Sequence, residues 1–253
     1  MTRSPRDLNS ELSPDDKHGW ESFLGHIHSL NQEGKAKYKL FYYIRHGEGY
    51  HNVKEAEVGT AEWEGHWARL DGDDTRTWVD AHLTEKGKQQ ALAISTFLKS
   101  SEAQNGMPVP SRHYTSPLAR CLETTRLAFS EHEGAEGVKA IVKENLRERM
   151  GIHTCGKRRT RTWIQENYRS YQIEDGFAEH DELWQGDVRE SLEEHALRFN
   201  DVLRDIFAND DEVVISLTSH SGSIRALYAA IGHRDVWVSP AAMVPVLIKA
   251  LSV

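Results

Sequence analysis

The sequence predicts an α/β fold: a three-layer α/β/α sandwich around a mainly parallel central sheet. Two observations carry the prediction. Short runs of β-branched and aromatic residues alternate with longer segments whose apolar residues recur every three or four positions, the pattern of strands fed by crossover helices. Leu40-Phe41-Tyr42-Tyr43-Ile44 is moreover apolar throughout, as a buried strand is, and Val213-Val214-Ile215-Ser216-Leu217 is the strongest strand run of the chain.

Each element follows in chain order. Residues 1 to about 19 are polar, with Pro5 and Pro14, and read as a lead-in; Trp20–Leu30 has the spacing of a short amphipathic helix, so that residues 1–37 form an N-terminal extension to a domain over 38–253. The first strand ends at Arg45-His46-Gly47. Thr84 is an N-cap for a helix carrying Ala91, Ile94 and Leu98. A strand at Arg112–Thr115 leads to Ser116-Pro117, an N-cap followed by proline at the first helical position, and then to a face of Leu118, Cys121, Leu122, Thr125 and Phe129. Val138–Val142 is a third strand. Ser191 and Glu194 form a capping box opening a helix through Phe207. A helix over Ile224–Ile231 follows the Val213 strand, and Met243–Leu251 supplies a last strand that Pro245 directs to a sheet edge. Two stretches, 49–80 and 149–188, fit no core element and read as insertions forming a cap. Five of the seven tryptophans lie in them, as packing anchors.

Composition narrows the function. Of 253 residues, 31 are Lys or Arg and 39 Asp or Glu, a net charge of −8, which disfavours nucleic-acid and anionic-membrane partners. Two cysteines, Cys121 and Cys155, are too few for a disulfide framework or a four-thiolate zinc site. The N-terminus lacks a signal-peptide core and no segment reaches the ~18 apolar residues of a membrane span. The expectation is a soluble, cytoplasmic protein. Asp71-Gly72-Asp73-Asp74 reads as an acidic turn, because no calcium-loop spacing follows it.

In open α/β sheets ligands bind beyond the carboxyl ends of the strands. That edge receives Arg45, His46 and Gly47 from the first strand, Ser116 and Arg120 from the second, Glu144, Arg147, Glu148 and Arg149 after the third, and Ser219, His220, Ser221 and Gly222 from the Val213 strand. Histidines and arginines beside helix N-termini make a phosphate site. A neutral histidine can take a phosphoryl group. In that scheme His46 attacks, Arg45, Arg120 and His220 hold the phosphoryl oxygens, and Glu148 protonates the leaving oxygen, without a metal or other cofactor. Asn52, Ser221, Gly222, Arg158 and Arg159 are the candidate substrate-binding residues. Arg158 and Arg159 belong to the dense basic run Lys157–Arg161, which either lines the mouth or is a solvated loop.

These residues also carry a resemblance. RHGE at Arg45–Glu48, HLTEKGKQQA at His82–Ala91, SPLARCLET at Ser116–Thr124, LRER at Leu146–Arg149 and SHSG at Ser219–Gly222, in this order, resemble the histidine phosphatase superfamily with its phosphoglycerate-mutase-like fold. RHGEGYHN, running to Asn52, is similar to the mutase-like proteins of fungi and plants. The resemblance implies a phosphorylated His46, phosphoryl binding by Arg45, Arg120 and His220, and acid/base work by Glu148. Ser221 stands where glycine is common in the family, and Ala81 where proline is common. The segment after Glu148, MGIHTCGKRRTRTW, differs from the loop with which a glycolytic mutase retains its phosphorylated intermediate, so hydrolysis of a small phosphorylated metabolite is the expected reaction. The alternatives are a phosphomutase, a non-catalytic phosphate-binding relative, and a metallohydrolase using His46, His51 and His220, for which no HExxH-type spacing exists.

Overall fold

The computed structural model describes residues 17–132 and 137–251; most of the polar lead-in lies outside them. Six strands form one sheet: β1 (Ala36–Arg45), β2 (Arg112–Thr115), β3 (Ala140–Val142), β4 (Gln172–Ile173), β5 (Val214–Ser219) and β6 (Met243–Leu251), in the spatial order β4-β3-β2-β5-β1-β6. All neighbours are parallel except β6, which runs antiparallel to β1 along one edge.

The continuous apolar run of β1 has a direct structural cause. Leu40, Tyr42 and Ile44 point into one apolar cluster and Phe41 and Tyr43 into another, so the strand is covered on both faces. The first cluster takes Ile94 and Leu98 from α4 (Glu85–Asn105), Leu122 and Ala128 from α5 (Ala119–Ala128), and side chains of α1 (Lys17–Gln32) packed against it. The second takes Phe199, Val202, Leu203 and Ile206 from α7 (Leu192–Asn209) and Ile224 and Leu227 from α8 (Ser221–Ile231). Helices thus cover both faces, the three-layer arrangement read from the sequence.

Two of the predicted caps form. Thr84 Oγ1 accepts the Gly87 amide, and Ser191 and Glu194 exchange both bonds of a capping box. The Ser116-Pro117 start does not. The helix begins two residues later, at Ala119, because the Asp80 carboxylate, from outside the segment, accepts the Ala119 amide at 2.9 Å. Asp80 holds this position with a left-handed φ of 41°. A second difference is β4, a two-residue parallel strand beside β3 inside the stretch 149–188. Two residues are too few for any periodic signal.

The remaining insertions carry α2 (Tyr50–Val58), α3 (Thr60–Gly65) and α6 (Arg161–Asn167). Trp63 and Trp78 are buried in a third apolar cluster with Ala68, Ala81 and Cys155, which packs the first insertion against the second. Asp73 accepts the Thr75 and Arg76 amides and pairs with Lys54 at 2.8 Å, the contacts of an acidic turn. Among the described residues, no helix is long and apolar enough to cross a membrane.

Phe199 is fully buried, its ring 5.7 Å from that of Tyr43. Phe199→Ala is expected to cost ~3–5 kcal/mol, read as a lower urea midpoint at unchanged slope. Leu197→Ala on the same helix, where the side chain is 67% exposed, stays within ~0.5 kcal/mol.

Candidate active site

β1 and β5 are parallel neighbours paired in register to their last residues, Arg45 opposite Ser219. The residue after each pair is therefore delivered to the same edge at the same height. Those residues are His46 and His220, whose ring centroids lie 5.1 Å apart. On the other side of β5, β2 ends level with it, and Ser116 Oγ sits 2.9 Å from His220 Nε2. From the first turn of α5, Arg120 reaches back to the same point. Its Nε donates to His46 Nε2 at 3.2 Å and its Nη1 to the Cys155 carbonyl at 2.7 Å.

The proton on His46 is placed by its neighbours. Nδ1 lies 2.7 Å from the Gly47 carbonyl, which only accepts, so Nδ1 carries the hydrogen. A guanidinium only donates, so Nε2 keeps its lone pair toward Arg120. Burial, then the charge of Arg120, holds the ring well below the ordinary histidine range, with Arg45 adding to the effect. Burial and Arg120 do the same to His220. The pocket is thus built from neutral imidazoles beside permanent cations. Arg45 donates from Nη1 to the Val238 carbonyl at 2.7 Å, while its buried Nε has no partner.

Glu148 closes the edge. Its Oε1 accepts the Arg149 amide at 2.8 Å and its Oε2 the Gly222 amide at 3.1 Å. A Cβ on Gly222 would fall 2.0 Å from Oε1, so only glycine admits the carboxylate here. Burial pushes the carboxyl up, but His195, the two amides and Arg120 together hold it below the ordinary glutamate range.

Arg45, His46, Arg120, Glu148, His220 and Gly222 therefore converge, with Ser221 opening α8 beside them. Asn52 spends its Oδ1 on the Gly49 amide at 3.0 Å, leaving Nδ2 as the group able to meet a ligand. Arg159 is half-exposed at the cap, 3.5 Å from Asp80 and stacked on Trp163. Arg158, expected at the mouth, is turned inward. Its Nε bonds both Glu144 oxygens and its Nη atoms four backbone carbonyls, leaving no donor for a substrate. The basic run is thus split between packing and surface.

Other groups at the edge had weaker signals. The ring of His51, buried and with Nδ1 unpartnered, lies 5.5 Å from that of His46 at a tilt of 51°. The sequence suggests it only as a metal ligand. Glu55, one helical turn after His51, acts on Arg45. Arg189 donates to the Arg149 and Gly151 carbonyls and to His153 Nδ1, and it feels the charge of Glu148. Nothing in its local sequence announces this placement, which depends on how the second insertion folds back. No three His, Cys, Asp or Glu side chains among the described residues are grouped so as to hold a metal ion.

The geometry agrees with a match to a family model. Residues 41–241 match the histidine phosphatase superfamily, branch 1. The chain belongs to this superfamily. It is 42% identical to a probable phosphoglycerate mutase of Arthroderma benhamiae, over 96% of this chain and 72% of the relative. To phosphomutase-like protein 3 of Candida albicans it is 36% identical, over 83% of this chain and 65% of the relative. Among solved structures, a putative α-ribazole-5′-phosphate phosphatase of Escherichia coli superposes with a TM-score of 0.52 at 18% identity, over 85% of this chain and 95% of that one. At that identity the likeness concerns the fold. Members of the superfamily are phosphatases or mutases.

Two predictions follow from the electrostatics of this superfamily member. His113 and His195 are buried and pushed down to about 4, and His46, His51 and His220 are lowered as well. The unfolded chain protonates these histidines below a pH of about 6.5 and the folded chain does so only at lower pH. Stability present above pH ~6.5 is therefore lost as pH falls toward 4, His113 alone contributing on the order of 3 kcal/mol. Asp80, raised to about 6 by burial, takes up its proton in the folded chain before the unfolded one as pH falls below about 6, and offsets part of this loss. The urea midpoint should fall from pH 7 to pH 4.5; a flat profile would contradict the assignment. Arg158→Ala, which leaves Glu144 to Arg147 alone and takes the donor from four backbone carbonyls, should lower stability by ~3 kcal/mol in the same assay.

Proposed function

We propose that the chain is a phosphatase that hydrolyses a phosphate monoester through a phosphohistidine on His46. One observation carries this reading. A buried, neutral imidazole has its Nδ1 hydrogen committed to a carbonyl, so that the Nε2 lone pair faces a pocket of fixed donors. The structural neighbours, the α-ribazole-5′-phosphate phosphatase among them, support phosphorylated small molecules as the substrate class.

In this scheme Arg45, Arg120 and His220 bind the three non-bridging oxygens of the phosphoryl group. His46 Nε2 attacks phosphorus, the P–N bond forms, and the ester P–O bond breaks in line with it. The departing oxygen takes a proton from Glu148. Water, deprotonated by Glu148, then attacks phosphorus, releasing inorganic phosphate and restoring His46 with its lone pair. Glu148, held below the ordinary glutamate range, is ionised at neutral pH, the form the second step needs as a base. A dianionic ester beside it opposes that ionisation and supplies the acid form for the first step.

The names of the fungal relatives favour a second reading, in which the phosphohistidine passes its phosphoryl group to an acceptor hydroxyl instead of water. The two readings separate in one experiment. Turnover of 4-nitrophenyl phosphate in EDTA is expected to proceed in the intact chain, to fall at least ~10³-fold in His46→Ala, and to need no bisphosphate primer. Acid quenching should not preserve the acid-labile P–N bond of the intermediate, whereas alkaline quenching should trap phosphate on His46. Dependence on a primer would move the reaction to the mutase, and activity surviving His46→Ala would sink both readings.

A further inference from the structure

The topology brings one more segment to this edge. β6 runs against β1, and its first residue, Met243, pairs with Ile44, next to the end of β1. α8 ends at Ile231, toward the opposite edge, so the connection must climb back across the sheet and pass over Arg45 before β6 begins. It is pinned there. The Val238 carbonyl accepts from Arg45 Nη1, and the Ala241 amide donates to the Arg45 and His46 carbonyls at 3.0 and 3.1 Å.

On this pinned segment stands Trp237. Its neighbour Val238 is buried, yet Trp237 is 77% exposed, the most exposed large hydrophobic side chain among the described residues. Its ring lies 6.0 Å from the guanidinium carbon of Arg45. Trp63 and Trp78, by contrast, are buried in the cap. A tryptophan offers a large area for burial, and leaving it in water beside a phosphate-binding arginine forgoes that gain. Arg45 keeps a buried Nε without a partner at the same spot. An anion donor and an aromatic face are thus presented side by side, with a fixed backbone behind both.

We propose that Trp237 is a leaving-group platform, and that the preferred substrates are phosphate monoesters whose organic part carries an aromatic ring close to the ester oxygen. The inference rests on the phosphatase reading above. With the phosphoryl oxygens on Arg45, an ester-linked ring is delivered beside the guanidinium, and the indole centroid lies 6.0 Å from that same guanidinium carbon, so the two rings come within stacking reach. The guanidinium itself stands at cation–π distance from the indole. An aliphatic leaving group would receive the same phosphate contacts without the stacking.

The test compares aryl with alkyl ligands in the intact chain, Trp237→Ala and Trp237→Phe. Rates are read with 4-nitrophenyl phosphate and glycerol phosphate, and affinities with the non-hydrolysable phenylphosphonate and methylphosphonate. In Trp237→Ala the aryl-to-alkyl ratio of kcat/KM is expected to fall about tenfold, mainly through KM, with Trp237→Phe recovering most of it. The phenyl-to-methyl ratio of phosphonate affinities should fall in parallel. An unchanged ratio, or equal losses for both ligand types, would overturn the platform. Failure of the phosphatase reading is recognised separately: neither ester would then be turned over, while the phosphonate affinities would still decide the role of Trp237.

Discussion

Parallel pairing of β1 with β5, carried in register to Arg45 and Ser219, is the constraint on which the rest of the site depends. Two strands far apart in the chain end at one height, and the next residue of each is a histidine. Backbone hydrogen bonds hold both strands to that level, so the separation of His46 and His220 is fixed by the ladder itself and not by side-chain choice. β2, on the far side of β5, brings Ser116 and then Arg120 into the same plane. A slip of one residue in the β1–β5 register would turn every side chain of one strand to the opposite face and move the imidazoles apart. The covered faces guard against it, since Leu40, Tyr42 and Ile44 cannot exchange places with Phe41 and Tyr43 without emptying two packed clusters.

Burial at this edge creates an electrostatic problem that the fold resolves with backbone groups. Guanidiniums are permanent cations, and burial with their charge holds the histidines among them well below the ordinary range. Carbonyls of Val238 and Cys155 accept from the guanidiniums and leave other donors open. Glu148, the carboxylate nearest the pair, is held by amides and admitted by the missing side chain of Gly222. The result is a pocket polarised toward an anion before one arrives, which spares reorganisation when charge develops. The accepting carbonyls come from segments remote in sequence: the connection before β6 and the second insertion.

Much of this architecture was legible beforehand because its signals are local. The apolar run of β1, the Thr84 cap, the Ser191–Glu194 capping box and Pro245 on an edge strand each follow from neighbouring residues. The site was legible for a related reason: strand-end residues of an α/β sheet share an edge whatever else the chain does. Local reading stopped where a distant group took over. Ser116 had every mark of a helix cap, yet the Asp80 side chain supplies the cap instead, two residues on. β4 was too short to show a pattern. Arg158 looked like a surface cation by its neighbours, but Glu144 and four carbonyls, brought round it by the second insertion, absorb its whole guanidinium.

By itself the sequence determined the layer order, the strand buried on both faces and the residue types that reach its chemical edge, because periodicity and turn chemistry act over a few residues. Tertiary structure alone decided the tautomer of His46, the unoccupied donor on Arg45, the division of the basic run and the presence of Trp237 at the mouth. Each of these depends on which distant carbonyl, carboxylate or ring lies within a few ångströms, and that is set by packing across the sheet. The antiparallel return of β6 illustrates the difference: the strand was readable from its own residues, but the tryptophan it forces across Arg45 was not.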